Sequence, residues 1–258
     1  ETDHFFSRTA LMYIYMGHMK YENTKPYEDW FWKKNKIALV RDFVERVDTN
    51  SKRLQLRSGE HLQYDILIIA SGSKSNKFGW PGQDLKGVQG LYSYQDLELM
   101  EENSRNTKQA VIVGGGLIGI EMAEMLLTRN IKVSMLVREN EFWSNVLPRQ
   151  EANMISRHVR SHHVDLRLET ELKEIQGDET GRVKSIVTSK GETIECQFVG
   201  LTVGVSPNID FLKGSAIEAK RGVLVNEFLE TNLPNVYALG DCVERKYDLP
   251  GRRNIEQV

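Results

Sequence analysis

The distribution of apolar residues predicts one well-defined unit in the middle of the chain. Gln109–Val113 is mostly apolar and predicts a buried strand, and the apolar residues of 131–137 predict a second strand. Between them, Leu117–Thr128 has the composition of a helix. This order predicts a β-α-β unit. A further continuous run, residues 64–72, predicts another strand that is covered on both faces and ends in a glycine turn.

The rest of the chain contains shorter apolar runs, which predict shorter elements. Ahead of that last strand, the apolar runs 37–40 and 53–56 are separated by polar turns and predict a meander. Residues 151–163 predict a helix, whereas residues 1–34 are rich in aromatic residues and show no clear period. Residues 79–90, with their glycines and proline, resemble a linker, so we expect a domain boundary soon after them. Further strands are predicted at 183–188, 193–205, 223–225 and 236–239.

The turn between the first strand and the helix carries a G-x-G-x-x-G pattern. Its glycines are Gly114, Gly116 and Gly119, and a strand end followed by a helix start is the context that a dinucleotide-binding motif requires. Gly114 would permit the tight turn, Gly116 the approach of a pyrophosphate, and Gly119 close packing of helix on strand. The N–H groups at the helix start, at Leu117 and Ile118, would hold the phosphates. The alternative is a glycine-rich turn needed only for packing.

The end of the second strand bears on which nicotinamide nucleotide binds. An acid there favours NADH through the ribose 2′-hydroxyl, and an arginine accommodates the 2′-phosphate of NADPH. Val137 occupies the position at which we expect an acid, and Arg138 and Glu139 follow it. The pattern favours NADPH slightly, and the alternative is that Arg138 and Glu139 are ordinary solvated charges.

Composition narrows the class of protein. The 258 residues include 34 Lys and Arg and 36 Asp and Glu, and this balance argues against a nucleic-acid-binding protein. The two cysteines, Cys196 and Cys242, form no C-x-x-C, so we expect neither a disulfide framework nor a metal site, and a cytoplasmic location fits. The longest apolar stretch, residues 110–127, contains Glu121 and Glu124, so no membrane span is expected.

Three blocks in a fixed order carry a resemblance to a known family. They are the strand-ending turn 70–72, the glycine motif, and residues 231–241. With them the chain resembles the FAD-dependent pyridine nucleotide oxidoreductases, especially the FAD subunit of NAD(P)H nitrite reductase and the rubredoxin and ferredoxin reductases. The resemblance implies an α/β fold of two Rossmann-like, three-layer dinucleotide-binding domains, with the NAD(P)H domain inserted into the FAD domain. The implied limits are 1–104 and 206–258 for the FAD domain and 105–205 for the NAD(P)H domain. We expect a fragment that lacks the opening β-α unit and the C-terminal interface domain.

The resemblance also implies contacts to FAD. Asp241, after Gly240, resembles the aspartate that bonds the ribityl hydroxyls, a task suited to a carboxylate because it is a strong acceptor. Its alternative role is a helix N-cap. The other implied FAD contacts are the turn of Ala70, Ser71 and Gly72, Glu1 at the adenosine ribose, and Arg8 near the pyrophosphate.

On the nicotinamide side, Glu121 resembles the glutamate beside the nicotinamide-flavin stack. Its alternative role is an ordinary first-turn acid favoured by the helix dipole. Leu117 stands where some disulfide reductases carry a tyrosine, and Gly204 is a further candidate contact to the cofactor.

The activity implied by the resemblance is hydride transfer from NAD(P)H to FAD. No cysteine precedes Cys196, so we expect the electrons to pass to a non-thiol acceptor. The candidates are a rubredoxin, a ferredoxin, a nitrite reductase module, a quinone or oxygen. The alternative is an FAD- and NAD(P)H-binding redox-sensing module with slow turnover. The resemblance leaves open a homodimer of the full-length protein.

Overall fold

The computed structural model describes residues 1–3, 5–144 and 146–246. The α-helices are α1 (Leu11–Tyr15), α2 (Asp29–Lys34), α3 (Tyr94–Ser104), α4 (Leu117–Thr128) and α5 (Arg149–Ser161). The strands are β1 (Val44–Asp48), β2 (Arg53–Leu56), β3 (His61–Gln63), β4 (Leu67–Ile69), β5 (Ser73–Ser75), β6 (Val88–Gln89), β7 (Gln109–Val113), β8 (Lys132–Leu136), β9 (Asp165–Arg167), β10 (Leu172–Gly177), β11 (Val183–Thr188), β12 (Thr193–Glu195), β13 (Phe198–Leu201), β14 (Val205–Pro207), β15 (Val223–Val225), β16 (Val236–Ala238) and β17 (Val243–Arg245).

The chain forms two compact units. The first unit contains Glu1, Ala38–Lys74 and the described residues from Val205 onward, and the second contains Thr2–Ile37 and Ser75–Gly204.

A parallel sheet of five strands, in the order β6-β13-β7-β8-β9, forms the middle layer of the second unit. Because side chains alternate along a strand, Ile112 of β7 packs into one buried cluster with residues of α4 and α5. Its neighbours Val111 and Val113 pack into another, with residues of the antiparallel β10-β11-β12 sheet. Each fully buried Val or Ile side chain contributes about 1.5–3 kcal/mol. The three layers are helices, the parallel sheet and the antiparallel sheet. Three layers were predicted, whereas the antiparallel sheet was not.

The predicted β-α-β unit is confirmed. Strand β7 and helix α4 have the predicted bounds, and β8 lies within the predicted run 131–137. The predicted strand 193–205 is instead interrupted, because Cys196 and Gln197 separate β12 from β13.

Helix α3 was not predicted from the sequence. The helix begins with a capping box in which the Asp96 N–H donates to Ser93 Oγ at 3.0 Å. In return, the Ser93 N–H donates to Asp96 Oδ2 at 2.8 Å. The buried side chains of Leu97 and Met100 then anchor the helix in the same cluster as β7 and α4.

In the first unit, β1, β2 and β3 form an antiparallel meander. A meander was predicted here, but of these three strands only β2 was predicted. The prediction of a strand at residues 37–40 is wrong. The first strand is β1, whose Val47 pairs with Leu54 of β2, whereas Leu39 and Val40 are 48% and 54% exposed and contribute little to a core.

Strand β4 pairs in parallel with β16, so that Ile69 lies opposite Ala238. Ile69 and Ala238 pack in the core of the first unit with Val47. The prediction that this strand is covered on both faces is wrong, because Ile66 and Ile68 are 62% and 59% exposed.

The compact units differ from the predicted domain limits in two segments, residues 2–37 and 75–104. Residues 75–104 belong to the second unit, because β6 pairs with β13 and α3 packs in the helical layer. Residues 2–37 belong to it as well, through Leu11 and Tyr15. The division after Gly204 lies one residue from the predicted limit at 205.

Candidate functional site

The glycine motif of the second unit is closely packed at two glycines and open at the third. Gly114 has φ +111°, and a Cβ there would lie 2.5 Å from the carbonyl oxygen of Thr202. A Cβ at Gly119 would lie 2.5 Å from the carbonyl oxygen of Gly114. By contrast, a Cβ at Gly116 would meet no atom within 4 Å. The turn therefore packs against its own unit at Gly114 and Gly119 and leaves free space above Gly116.

The open glycine lies at the start of α4. Gly116 is the N-cap of this helix and its backbone is extended. The N–H groups of Leu117 and Ile118 have no partner within the helix, as at every helix start. The Leu117 side chain is 61% exposed. These N–H groups and the positive end of the helix dipole form an arrangement that binds anions, and the turn lies at the carboxyl edge of a parallel sheet.

The strand order places the motif where such sheets bind ligands. The chain forms β7, β8 and β9 in succession to one side of β7, and β13 then pairs on its other side. The order of the strands reverses between β7 and β13, and open α/β sheets bind ligands outside the carboxyl ends of the strands at this point.

The end of β8 lies beside this turn. A Cβ built on Gly115 would lie 3.1 Å from Val137 Cγ2, so the two backbones are close. Val137 is buried, whereas Arg138 and the half-buried Glu139 follow it, and Arg138 Nε donates to Glu139 Oε1 at 2.8 Å.

Glu121 and Gly204 are further residues of the second unit that were predicted to lie at the nucleotide site. Glu121 lies on α4, where burial, and secondarily the charge of Glu124, raises the pKa of its carboxyl group. Gly204 ends the unit with φ +88°, and its carbonyl oxygen accepts the N–H of Asn76 at 3.1 Å.

In the first unit the turn after β4 and the turn after β16 lie side by side. The two strands are adjacent and parallel, and the N–H of Leu239 donates to the carbonyl oxygen of Ile69 at 2.9 Å. The structure therefore brings residues 70–72 and residues 240–241 to the same sheet edge. Gly240 has φ +74°, Asp241 is half-buried, and Ser73 Oγ donates to the carbonyl oxygen of Asp241 at 3.5 Å.

The turn 70–72 is fixed by Asn208. Ser71 Oγ donates to the carbonyl oxygen of Asn208 at 2.7 Å, and the N–H of Asn208 donates to the carbonyl oxygen of Gly72 at 2.9 Å. Ala70 is exposed. Since the Ser71 hydroxyl is a donor to the protein, its oxygen lone pairs are what it can offer to a ligand.

The structure places the two predicted residues near the chain start in different units. Glu1 is exposed and belongs to the first unit, with residues 70–72 and 240–241. Arg8 belongs to the second unit, where its Nη1 donates to the carbonyl oxygen of Tyr92 at 2.6 Å. Its guanidinium also lies 4.6 Å from the centre of the Tyr92 ring.

Two residues that hold these turns were not predicted. Thr202 Oγ1 donates to the carbonyl oxygen of Val113 at 2.9 Å and fixes the glycine turn from β13. Asn208 follows β14 and holds the turn 70–72. A polar residue directly after a buried apolar run is the sequence signal that marks Thr202.

Both cysteines are buried. Burial raises the pKa of the Cys196 thiol to about 12. Cys242 Sγ lies 3.2 Å from the carbonyl oxygen of Leu239, to which it donates. Across residues 1–3, 5–144 and 146–246, no helix has the length and apolar character needed to cross a membrane, and no three side chains cluster as metal ligands would.

Comparison with known proteins gives consistent matches over nearly the whole chain. An NADH-rubredoxin oxidoreductase from Clostridium acetobutylicum is 32% identical over 227 residues, which are 88% of this chain and 55% of that protein. A nitrite reductase [NAD(P)H] from Bacillus subtilis is 32% identical over 220 residues, 84% of this chain and 27% of that protein. The chain thus spans about half the length of the first relative and less of the second.

Solved structures match the fold. A ferredoxin reductase from Rhodopseudomonas palustris covers 100% of this chain with a TM-score of 0.89 at 22% identity, and this chain covers 63% of it. The NADH:rubredoxin oxidoreductase of Clostridium acetobutylicum covers 97% with a TM-score of 0.77 at 29% identity, and this chain covers 62% of it. The sequence profile of the pyridine nucleotide-disulphide oxidoreductases matches residues 7–258. The chain therefore belongs to the pyridine nucleotide-disulphide oxidoreductase family, whose members are FAD- and NAD(P)H-dependent oxidoreductases.

Proposed function

We propose that the full-length protein is an FAD-dependent oxidoreductase that takes hydride from NAD(P)H and passes electrons to a non-thiol acceptor. The observation that carries this proposal is the free space above Gly116. It lies at the start of α4, at the carboxyl edge of the parallel sheet, where open α/β sheets bind nucleotides.

The second unit is the proposed NAD(P)H-binding domain. The pyrophosphate would lie over Gly116 and accept hydrogen bonds from the N–H groups of Leu117 and Ile118. Gly114 and Gly119 keep the turn tight enough for this approach, since a side chain at either position would collide with backbone oxygens. Gly204 lies three residues beyond the end of β13, the strand next to β7 in the sheet, and is the proposed contact on the nicotinamide side.

The first unit is the proposed FAD-binding domain. The residues present fit this group, because Gly240 offers open space above its backbone and Asp241 follows it at the end of β16. Asp241 would accept hydrogen bonds from the ribityl hydroxyls, and residues 70–72 and Glu1 would contact the phosphates and the adenosine. Arg8, which belongs to the second unit, is proposed as a contact to the pyrophosphate on the family resemblance alone. Bound FAD would supply the two-electron acceptor.

The contribution of this chain to hydride transfer is positioning. Transfer between two rings requires them at about 3–3.5 Å and little acid-base help. Glu121 would lie beside the ring stack, where the raised pKa of its carboxyl group reflects a partly desolvated site.

The acceptor is proposed to be a small redox protein or a redox module. The relatives include reductases named for rubredoxin and for nitrite, which supports this class. The buried positions of Cys196 and Cys242 support a non-thiol acceptor.

The test is the visible absorption spectrum of the full-length protein under anaerobic conditions, before and after addition of NADPH or NADH. We expect a yellow protein that bleaches, and steady turnover when ferricyanide is added as an artificial acceptor. Asp241→Ala should lower the amount of FAD retained, whereas Asp178→Ala, in an exposed turn of the second unit, should not. A protein that retains FAD but is bleached by neither nucleotide would refute the proposal. Bleaching without steady turnover would instead favour a redox sensor.

A further inference from the structure

The residue that directly follows β8 is not an acid. Val137, at the position where an acid would select NADH, is 1% exposed. Its N–H donates to the carbonyl oxygen of Arg167 at 2.9 Å, and its own carbonyl oxygen accepts the N–H of Thr170 at 3.0 Å. These two bonds fix the backbone, and the side chain is directed into the core that contains Phe142.

The next residue offers a cation. The side chain of Arg138 is 74% exposed. Within the described part of the chain, its hydrogen-bond partner is Glu139, which accepts from Nε at 2.8 Å. The N–H groups on the two terminal nitrogens of the guanidinium remain available. They form the edge of the fork that matches a phosphate in a bidentate arrangement.

Glu139 has a backbone anchor of its own. Its carbonyl oxygen accepts the N–H of Glu169 at 3.0 Å, so the residue that holds Arg138 Nε is itself fixed. Glu139 therefore acts as a positioning residue for Arg138. Glu139 and Glu171 are also the acidic side chains whose charges act on Arg138.

We propose that the chain selects NADPH over NADH through Arg138, which binds the 2′-phosphate of the adenosine ribose. The inference rests on the proposed function, in which the glycine motif binds the pyrophosphate of NAD(P)H. Gly115 of the motif lies against Val137, so the ribose next to the pyrophosphate would be placed at Val137 and Arg138. The opposite assignment is that Glu139 accepts the 2′-hydroxyl of NADH, and the two assignments predict different effects of mutation.

The experiment is isothermal titration calorimetry of the full-length protein with adenosine 2′,5′-bisphosphate and with adenosine 5′-monophosphate. These ligands differ only in the 2′-phosphate and contain no nicotinamide, so the readout is independent of flavin reduction. We expect the bisphosphate to bind about 10- to 100-fold more tightly, the range for one charge-assisted pair. Arg138→Ala should remove this preference and leave the affinity for the monophosphate unchanged.

Two matched variants separate the alternatives. Lys132→Ala removes the same charge from the amino end of the same strand and should leave the preference intact. Glu139→Gln should keep or increase the preference, because it removes a negative charge near the phosphate.

Three results would overturn the inference. They are equal affinity for the two ligands, binding of neither, or loss of monophosphate affinity in Glu139→Gln with no effect of Arg138→Ala. If the unmodified protein shows no preference for the bisphosphate but is bleached by a nicotinamide nucleotide, this inference alone is overturned. If the unmodified protein prefers the bisphosphate but its flavin is not bleached by NADPH, the proposed function alone is overturned.

Discussion

Replacing Gly116 with alanine should separate the folding of the glycine turn from its binding of a nucleotide. Gly116 has φ −83° and ψ −177°, an extended conformation that alanine adopts without strain. The added Cβ would enter space with no atom within 4 Å. Alanine would lower the conformational entropy of the unfolded chain, which stabilises the folded protein by about 0.4–1 kcal/mol. Alanine is also a poorer N-cap than glycine, which destabilises the helix by a similar amount. The two effects oppose each other. We therefore expect the free energy of unfolding to change by less than about 1 kcal/mol.

The effect on binding should be large, because the space above Gly116 is where the pyrophosphate is proposed to approach. A methyl group there would push the phosphate away from the N–H groups of Leu117 and Ile118. Each hydrogen bond to a charged group contributes about 1.5–3 kcal/mol, so loss of one or two should raise the Kd for NADP⁺ by at least about tenfold. Calorimetric titration measures the Kd, and urea unfolding of the same preparation measures stability.

The matched control is Gly181→Ala, in the turn between β10 and β11. Gly181 also has open space around an added Cβ, but its φ of +74° makes alanine strained there. This control should lower stability by about 1 kcal/mol and leave nucleotide binding unchanged. If Gly116→Ala bound NADP⁺ as tightly as the unmodified protein, the phosphate could not lie over Gly116, and the assignment of this turn would be refuted.

Three further predictions concern stability and reactivity. Gly119→Ala should lower the free energy of unfolding by about 1–3 kcal/mol in urea titration, because its Cβ would lie 2.5 Å from Gly114 O, and unchanged stability would contradict this packing. Tyr15→Phe should cost about 1–2 kcal/mol, because it leaves the buried Ser104 hydroxyl without the Tyr15 Oη donor now 2.7 Å away, and Ser104→Ala in the same chain should recover part of the loss. Cys196, with a folded pKa of about 12, should resist thiol reagents until the protein is unfolded. Since the unfolded thiol has a pKa of about 8.5, stability relative to Cys196→Ala should fall as the pH rises from there toward the folded value.

The sequence predicted those parts of the structure whose signals are local. The β-α-β unit could be predicted to within a residue, because β7 and β8 are rich in apolar residues and the glycines mark the turn between β7 and α4. The pairing of β4 with β16 was not readable from apolar runs, because their partners lie far apart in the chain. Their common sheet edge was instead implied by the family resemblance, which grouped residues 70–72 with residues 240–241.

Other features depend on tertiary contacts that composition does not reveal. Helix α3 was not predicted because it has few apolar residues among several acidic ones, so its hydrophobic periodicity is weak. Ser93 and Asp96 nevertheless have the spacing of a capping box, which the sequence shows. Residues 37–40 satisfy strand propensity and still form no strand, because the pairing edge of β2 is taken by β1. Neither outcome follows from the residues of those segments alone.

The structure also bears on whether the glycine motif needs a ligand to explain it. Gly114 and Gly119 would be required for packing alone, since side chains there would collide with Thr202 and with Gly114 respectively. Gly116 has no such requirement, because its φ is ordinary and its surroundings are open. Glycine at that position carries an entropic cost that the folded chain does not need. A turn built only for packing therefore accounts for two of the three glycines, whereas a phosphate approaching the start of α4 accounts for the third as well.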